Sequence, residues 1–103
     1  MKIGLDLVNL VQFSKKLEDV DLAVLFSESE LKEKSVEHLA GLFAAKEAFF
    51  KALGGKENWR EVWIDKDQNG KPKINSSLLG SNEQTELSIT HDGDYAAAIV
   101  LIF

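Results

Sequence analysis

The chain has 103 residues, 45% of them hydrophobic, with one proline and no cysteine. That balance fits one compact domain and excludes a disordered or repeat protein, a disulfide framework, a thiolate metal site and a thiol nucleophile. Its formal net charge of −5 argues against a protein whose main work is holding nucleic acid, which presents a basic face.

Near the start, Ile3, Leu5, Leu7 and Asn9 alternate with Gly4, Asp6 and Val8. Period two predicts a first strand with Asp6 on the face opposite the leucines. An acidic residue there reads either as a group at a solvated sheet edge, or as a cap on a neighbouring backbone, or as part of a site. Met1 to Asp6 is not the long apolar run of a signal peptide, and no stretch reaches the ~20 apolar residues of a membrane span. The expectation is a cytoplasmic protein with no membrane partner.

Ser27 and Glu30 have the spacing of a capping box, which predicts a short helix beginning just after Ser27, with Lys32, Glu33 and Lys34 on its solvated face. A longer helix is predicted over 36–53, with Ser35 as N-cap and Gly54-Gly55 closing its C-terminus. At about 100° per residue, Glu47 and Lys51 lie within roughly 40° of each other, while Leu42, Ala45, Phe49 and Ala52 gather near the other side. On its own the charged pair reads as a surface i,i+4 contact worth about 0.3 kcal/mol.

After the glycine pair the pattern changes to period two. Trp59 to Asp65 reads as a strand, Asn69-Gly70 as a tight hairpin turn, and Lys71 to Ile74 as the antiparallel return, placed at an edge by Pro72. Asp65, Asp67, Asn69 and Gly70 also match the first half of a calcium loop. The glutamate that such a loop needs at its twelfth position would be Ser76, so the hairpin is preferred. Leu87 to Thr90 and Tyr95 to Phe103 form a second strand pair, turning at His91-Asp92-Gly93-Asp94. His91 at that turn reads as an exposed spectator, a turn hydrogen-bonder or a site residue.

Five of these pieces occur together in order: Gly4-Leu5-Asp6-Leu7-Val8, Phe26-Ser27-Glu28-Ser29-Glu30, Phe43-Ala44-Ala45-Lys46-Glu47-Ala48-Phe49, Asn69-Gly70-Lys71-Pro72 and Ser88-Ile89-Thr90-His91. Their order and spacing resemble the holo-acyl-carrier-protein synthases, over nearly the whole chain. The resemblance implies an α+β fold, a small antiparallel sheet packed against one long helix, as a single domain over 1–103. It implies a 4′-phosphopantetheinyl transferase, moving the phosphopantetheine arm of coenzyme A to a serine of an apo acyl carrier protein and releasing adenosine 3′,5′-bisphosphate. A non-catalytic module that binds coenzyme A or a carrier is the alternative on the same fold.

By the same resemblance, Asp6 and Glu47 are implied as Mg²⁺ ligands, which accords with the preference of that ion for one or two carboxylates. Lys51 is implied as a phosphate contact stabilising the leaving group, and Glu47, directly or through water, as the base for the incoming serine. Lys46, Gly54, Gly70, Lys71, Pro72, Thr90 and His91 are implied as coenzyme A contacts. Sites between the subunits of a homotrimer are implied as well, and a domain this small, burying only about 60 to 70% of its unfolded surface, would gain from such association. Two departures stand out. Leu42 occupies a position where these synthases commonly carry arginine, and Glu18, Asp19 and Asp21 closely follow Lys15 and Lys16, although carrier proteins are themselves acidic.

Overall fold

The computed structural model describes residues 1–103. β1 (Lys2–Asn9) leads into α1 (Leu10–Leu17) and a single turn, α2 (Leu22–Leu25). After the long α3 (Val36–Ala52) come the hairpin β2 (Val62–Lys66) and β3 (Pro72–Ser76), then β4 (Thr85–Asp92) and β5 (Tyr95–Ile102). β1, β5 and β4 form an antiparallel sheet in that order, and β2 and β3 form a separate antiparallel pair. Thr85 Oγ1 donates to the carbonyl of Ile74 at 3.1 Å, joining the two.

Local signals explain the elements. Asn9 Oδ1 accepts from the Gln12 amide at 3.0 Å and opens α1. Ser35 Oγ accepts from His38 N at 3.2 Å and opens α3, which ends where Gly54 and Gly55 take positive φ of 102° and 92°. The predicted helix over 36–53 is therefore present. The expected division holds, with Glu47 half-buried and Lys51 exposed, but the buried side is wider than one stripe: Leu42 to Lys46 and Ala48 to Phe50 are all buried, because the sheet, α1, the 25–32 segment and β2 enclose α3 on most sides. A helix apolar almost all round is one that sits inside. Each fully enclosed phenylalanine, such as Phe49, contributes about 2–3 kcal/mol of burial.

The capping box at Ser27 forms, with Ser27 N donating to Glu30 Oε1 at 2.7 Å and Glu30 N to Ser27 Oγ at 3.3 Å, but it opens only a 3₁₀ turn over Glu30–Lys32. Glu30 is drawn inward instead. Its Oε1 accepts from Lys46 Nζ at 2.6 Å and its Oε2 from the Ile64 amide at 2.7 Å, while Lys46 also donates to Leu25 O at 2.8 Å. Both side chains are fully buried. Burial pulls the Lys46 ammonium below the usual lysine range, with Glu30 acting in the other direction. The expectation that Lys46 meets a phosphate is thus corrected: its donors are directed into the core.

The turn between β2 and β3 also differs from expectation. Lys66 pairs with Pro72, leaving a connection of residues 67–71 in place of a two-residue Asn-Gly turn. Asp67 organises it, its Oδ1 accepting from the amides of Asn69 at 2.8 Å and Lys71 at 3.0 Å, with Gly70 at φ 79°. The two-residue turn is found elsewhere, at Gly93-Asp94 between Asp92 and Tyr95.

Removing Lys46 would leave a buried carboxylate without its counter-charge. Lys46→Met should cost about 3–5 kcal/mol of stability, read as a lower urea midpoint at unchanged slope; an unchanged midpoint would mean that the pair is not structural.

Candidate active site

Gly4, Asp6 and Val8 face α3, while Ile3, Leu5 and Leu7 point away from it and are exposed. The helix lies so close to the strand that a β-carbon at Gly4 would stand 1.7 Å from Ala48 O. Asp6, two residues along the same face, is thereby brought against the C-terminal half of α3. Lys51 Nζ donates to Asp6 Oδ1 at 2.9 Å and to Leu5 O at 3.1 Å. The Asp6 side chain is 14% exposed and that of Lys51 53%, so the pair opens to solvent on one side and contributes little as a salt bridge.

Glu47 lines the same depression, a cavity of about 240 Å³ whose walls include Asp6, Asn9, Gln12, Lys16 and Phe43. Its carboxyl is raised above the usual range by burial first, then by the negative charges of Glu57 and Asp6, against opposing pulls from Lys16 and Lys51. Two partly buried carboxylates on one wall, with Asp6 opposing the charge on Glu47, form a donor set that a hard divalent cation such as Mg²⁺ would suit. A raised carboxylate is also a better proton acceptor near neutral pH than an ordinary one.

The other expected residues lie elsewhere. Pro72 and His91 line a second cavity of about 580 Å³ with His38, Leu42, Asp65 and Ile89. His91 Nε2 donates to Glu37 O at 3.0 Å, and the ring packs closely over Gly41, where a β-carbon would lie 3.0 Å from that nitrogen. Leu42 is buried at this wall and supplies no polar group. Thr90 does not join His91. Adjacent residues of a strand point to opposite faces, and Thr90 pairs with Ala97 on the outer face of the sheet. Gly70 and Lys71 stand at the β2–β3 tip, where Lys71 Nζ is paired with Glu86 Oε2 at 2.8 Å. Gly54, at φ 102°, donates its amide to Lys51 O at 3.2 Å, and a β-carbon there would meet nothing within 4 Å.

Two separate cavities result, on opposite flanks of α3. The inward row Asp6, Ala98, Ile89 crosses the sheet in register, so Asp6 and Ile89 are two strand spacings apart, about 9–10 Å, with the helix above. No residue lines both cavities. Lys16 is not among the expected site residues, because its neighbourhood with Phe43 and Glu47 arises only when α1 packs beside α3.

Residues 2–100 match the family model of the 4′-phosphopantetheinyl transferase superfamily. The chain is 40% identical over 110 residues to a holo-[acyl-carrier-protein] synthase of Nautilia profundicola, covering 97% of both, and 38% identical over 111 residues to one of Arthrobacter sp., covering 96% of this chain and 94% of the other. Among solved structures it resembles the synthase of Helicobacter pylori in complex with coenzyme A, with a TM-score of 0.85 at 27% identity over 98% of this chain and 99% of that one. The Bacillus anthracis synthase in complex with coenzyme A (3′,5′-ADP) gives a TM-score of 0.82 at 28% identity, over 98% and 94% of the two chains.

Proposed function

The chain belongs to the 4′-phosphopantetheinyl transferase superfamily, and from that premise we propose how its residues divide the work of transfer. The enzyme moves the 4′-phosphopantetheine arm of coenzyme A to a serine hydroxyl of an apo acyl carrier protein. The serine oxygen forms a bond to the phosphorus bearing the pantetheine, the diphosphate bridge to that phosphorus breaks, and adenosine 3′,5′-bisphosphate departs with the bridging oxygen.

Asp6 and Glu47 would hold Mg²⁺, whose chemistry is to gather diphosphate oxygens and offset the charge that develops on them. Glu47 stands at the same wall to take the serine proton, directly or through a water that it orients. Lys51 keeps Asp6 oriented through the 2.9 Å contact, and its half-exposed ammonium can turn toward the leaving bisphosphate. The observation that carries this reading is the convergence of one strand carboxylate, Asp6, and one helix carboxylate, Glu47, on a single cavity wall, with the helix lysine Lys51 paired to the first.

The nucleotide end belongs to the Pro72 and His91 cavity, and we place it against the Asp6 and Glu47 cavity of a neighbouring subunit in a homotrimer. Two features support that assembly. The half-sites lie on opposite flanks of α3, and the outer sheet face exposes Ile3, Leu5 and Leu7 at 62–65% and Ile99 at 38%, an apolar row of the kind that marks association. No helix is long and apolar enough to cross a membrane, which accords with action in the cytoplasm.

With coenzyme A, Mg²⁺ and a panel of apo carriers, intact-mass spectrometry should show one phosphopantetheine added to a carrier. Asp6→Asn and Glu47→Gln should each slow that addition by roughly a hundredfold or more. Retained coenzyme A binding with no mass gain on any carrier would instead make the chain a binding module. Leu5→Glu sets a charge in the apolar row, so light scattering should find monomers in place of trimers and transfer should fall in parallel; a fully active monomer would defeat the shared-site proposal.

A further inference from the structure

Lysine side chains at the Asp6 and Glu47 cavity are not equally free. Lys51 is engaged by Asp6 and by Leu5 O. Lys16, in the last turn of α1, enters no ion pair in the chain. Its Nζ rests 4.8 Å from the centroid of the Phe43 ring, on the wall that also carries Asp6 and Glu47. That ring is fixed from behind, stacked on Trp59 at 5.1 Å and tilted against Phe13 at 5.1 Å. An exposed cation–π contact is worth about 0.5–1 kcal/mol, enough to bias where the ammonium rests but leaving its three N–H donors uncommitted.

We propose that Lys16 contacts the phosphoryl group of coenzyme A that is transferred, held at the cavity rim by Phe43 and donating to a phosphate oxygen as charge builds there. The inference rests on the reading of this cavity as the transfer site and deepens it. Glu18, Asp19 and Asp21, all exposed just beyond α1, repel a carboxylate-rich partner approaching from that end. A phosphate seated beside Asp6 and Glu47 is reached across the cavity instead, and with Lys51 paired it finds in Lys16 the uncommitted cation of the wall.

The test is calorimetric titration of the wild-type chain, Lys16→Met and Lys16→Arg with coenzyme A and, separately, with adenosine 3′,5′-bisphosphate, which lacks the transferred phosphoryl group, both in the presence of Mg²⁺. Lys16→Met should bind coenzyme A about tenfold more weakly with bisphosphate binding unchanged, Lys16→Arg should keep most of the affinity, and the thermal midpoint of Lys16→Met should fall by no more than a few degrees, the loss of the exposed cation–π contact. In transfer assays the KM for coenzyme A should rise and the KM for the carrier should stay. Unchanged coenzyme A affinity in Lys16→Met, an equal loss for the bisphosphate, or a defect confined to the KM for the carrier would each overturn the assignment. Failure of the wild-type chain to bind coenzyme A would overturn the site reading itself.

Discussion

Between β1 and α3 there is no room for a side chain at Gly4, and the chemistry of the site depends on that contact. Where the strand backbone touches the Ala48 carbonyl, the strand and helix residues on either side come within reach of one another. Asp6 meets Lys51, one helical turn beyond Glu47, and Glu47 itself immediately precedes the contact. A wider strand–helix gap would leave two isolated carboxylates in place of one shared wall. The small residues Ala44, Ala45 and Ala48, all fully buried, extend the same close fit along the helix.

Lys46 and Glu47 show how one helix serves two purposes. They are adjacent, about 100° apart around the axis, so one side chain enters the interior and the other the site. The inward lysine ties α3 through Glu30 to the Ser27 turn and to β2. Burying such a pair gains little over apolar packing, and the attested use of buried ion pairs is to select one arrangement among several. Here the selected arrangement sets the register of the segment and strand that wall the Pro72 and His91 cavity.

Much of this is legible in the amino-acid sequence. The boundaries of α3 are, because Ser35 and Gly54 act locally on the backbone. The resemblance rests on ordered motifs, and the Asp6, Glu47 and Lys51 grouping follows from it. Matters of face and distance are not legible in the same way. Ile3, Leu5 and Leu7 have the composition of a core row yet face outward, since apolar residues fill interiors without being confined to them. Thr90 and His91 are neighbours in the motif and are separated by the pleat. Asp67 takes over a turn that Asn69-Gly70 suggests, because its carboxylate satisfies two amides at once. α2, four residues capped by Asp21, is too short to show a period, and Lys16 gains its aromatic partner from residues far away in the chain.

The position of β1 at the edge of its sheet gives Asp6 a second duty. An edge strand offers unpaired amides to any passing strand, and proteins blunt such edges with charges that point inward. Asp6 is a charge of that kind, in a strand whose outer row is otherwise oily. In the proposed reading the carboxylate that serves the chemistry is also one that blunts an open sheet edge.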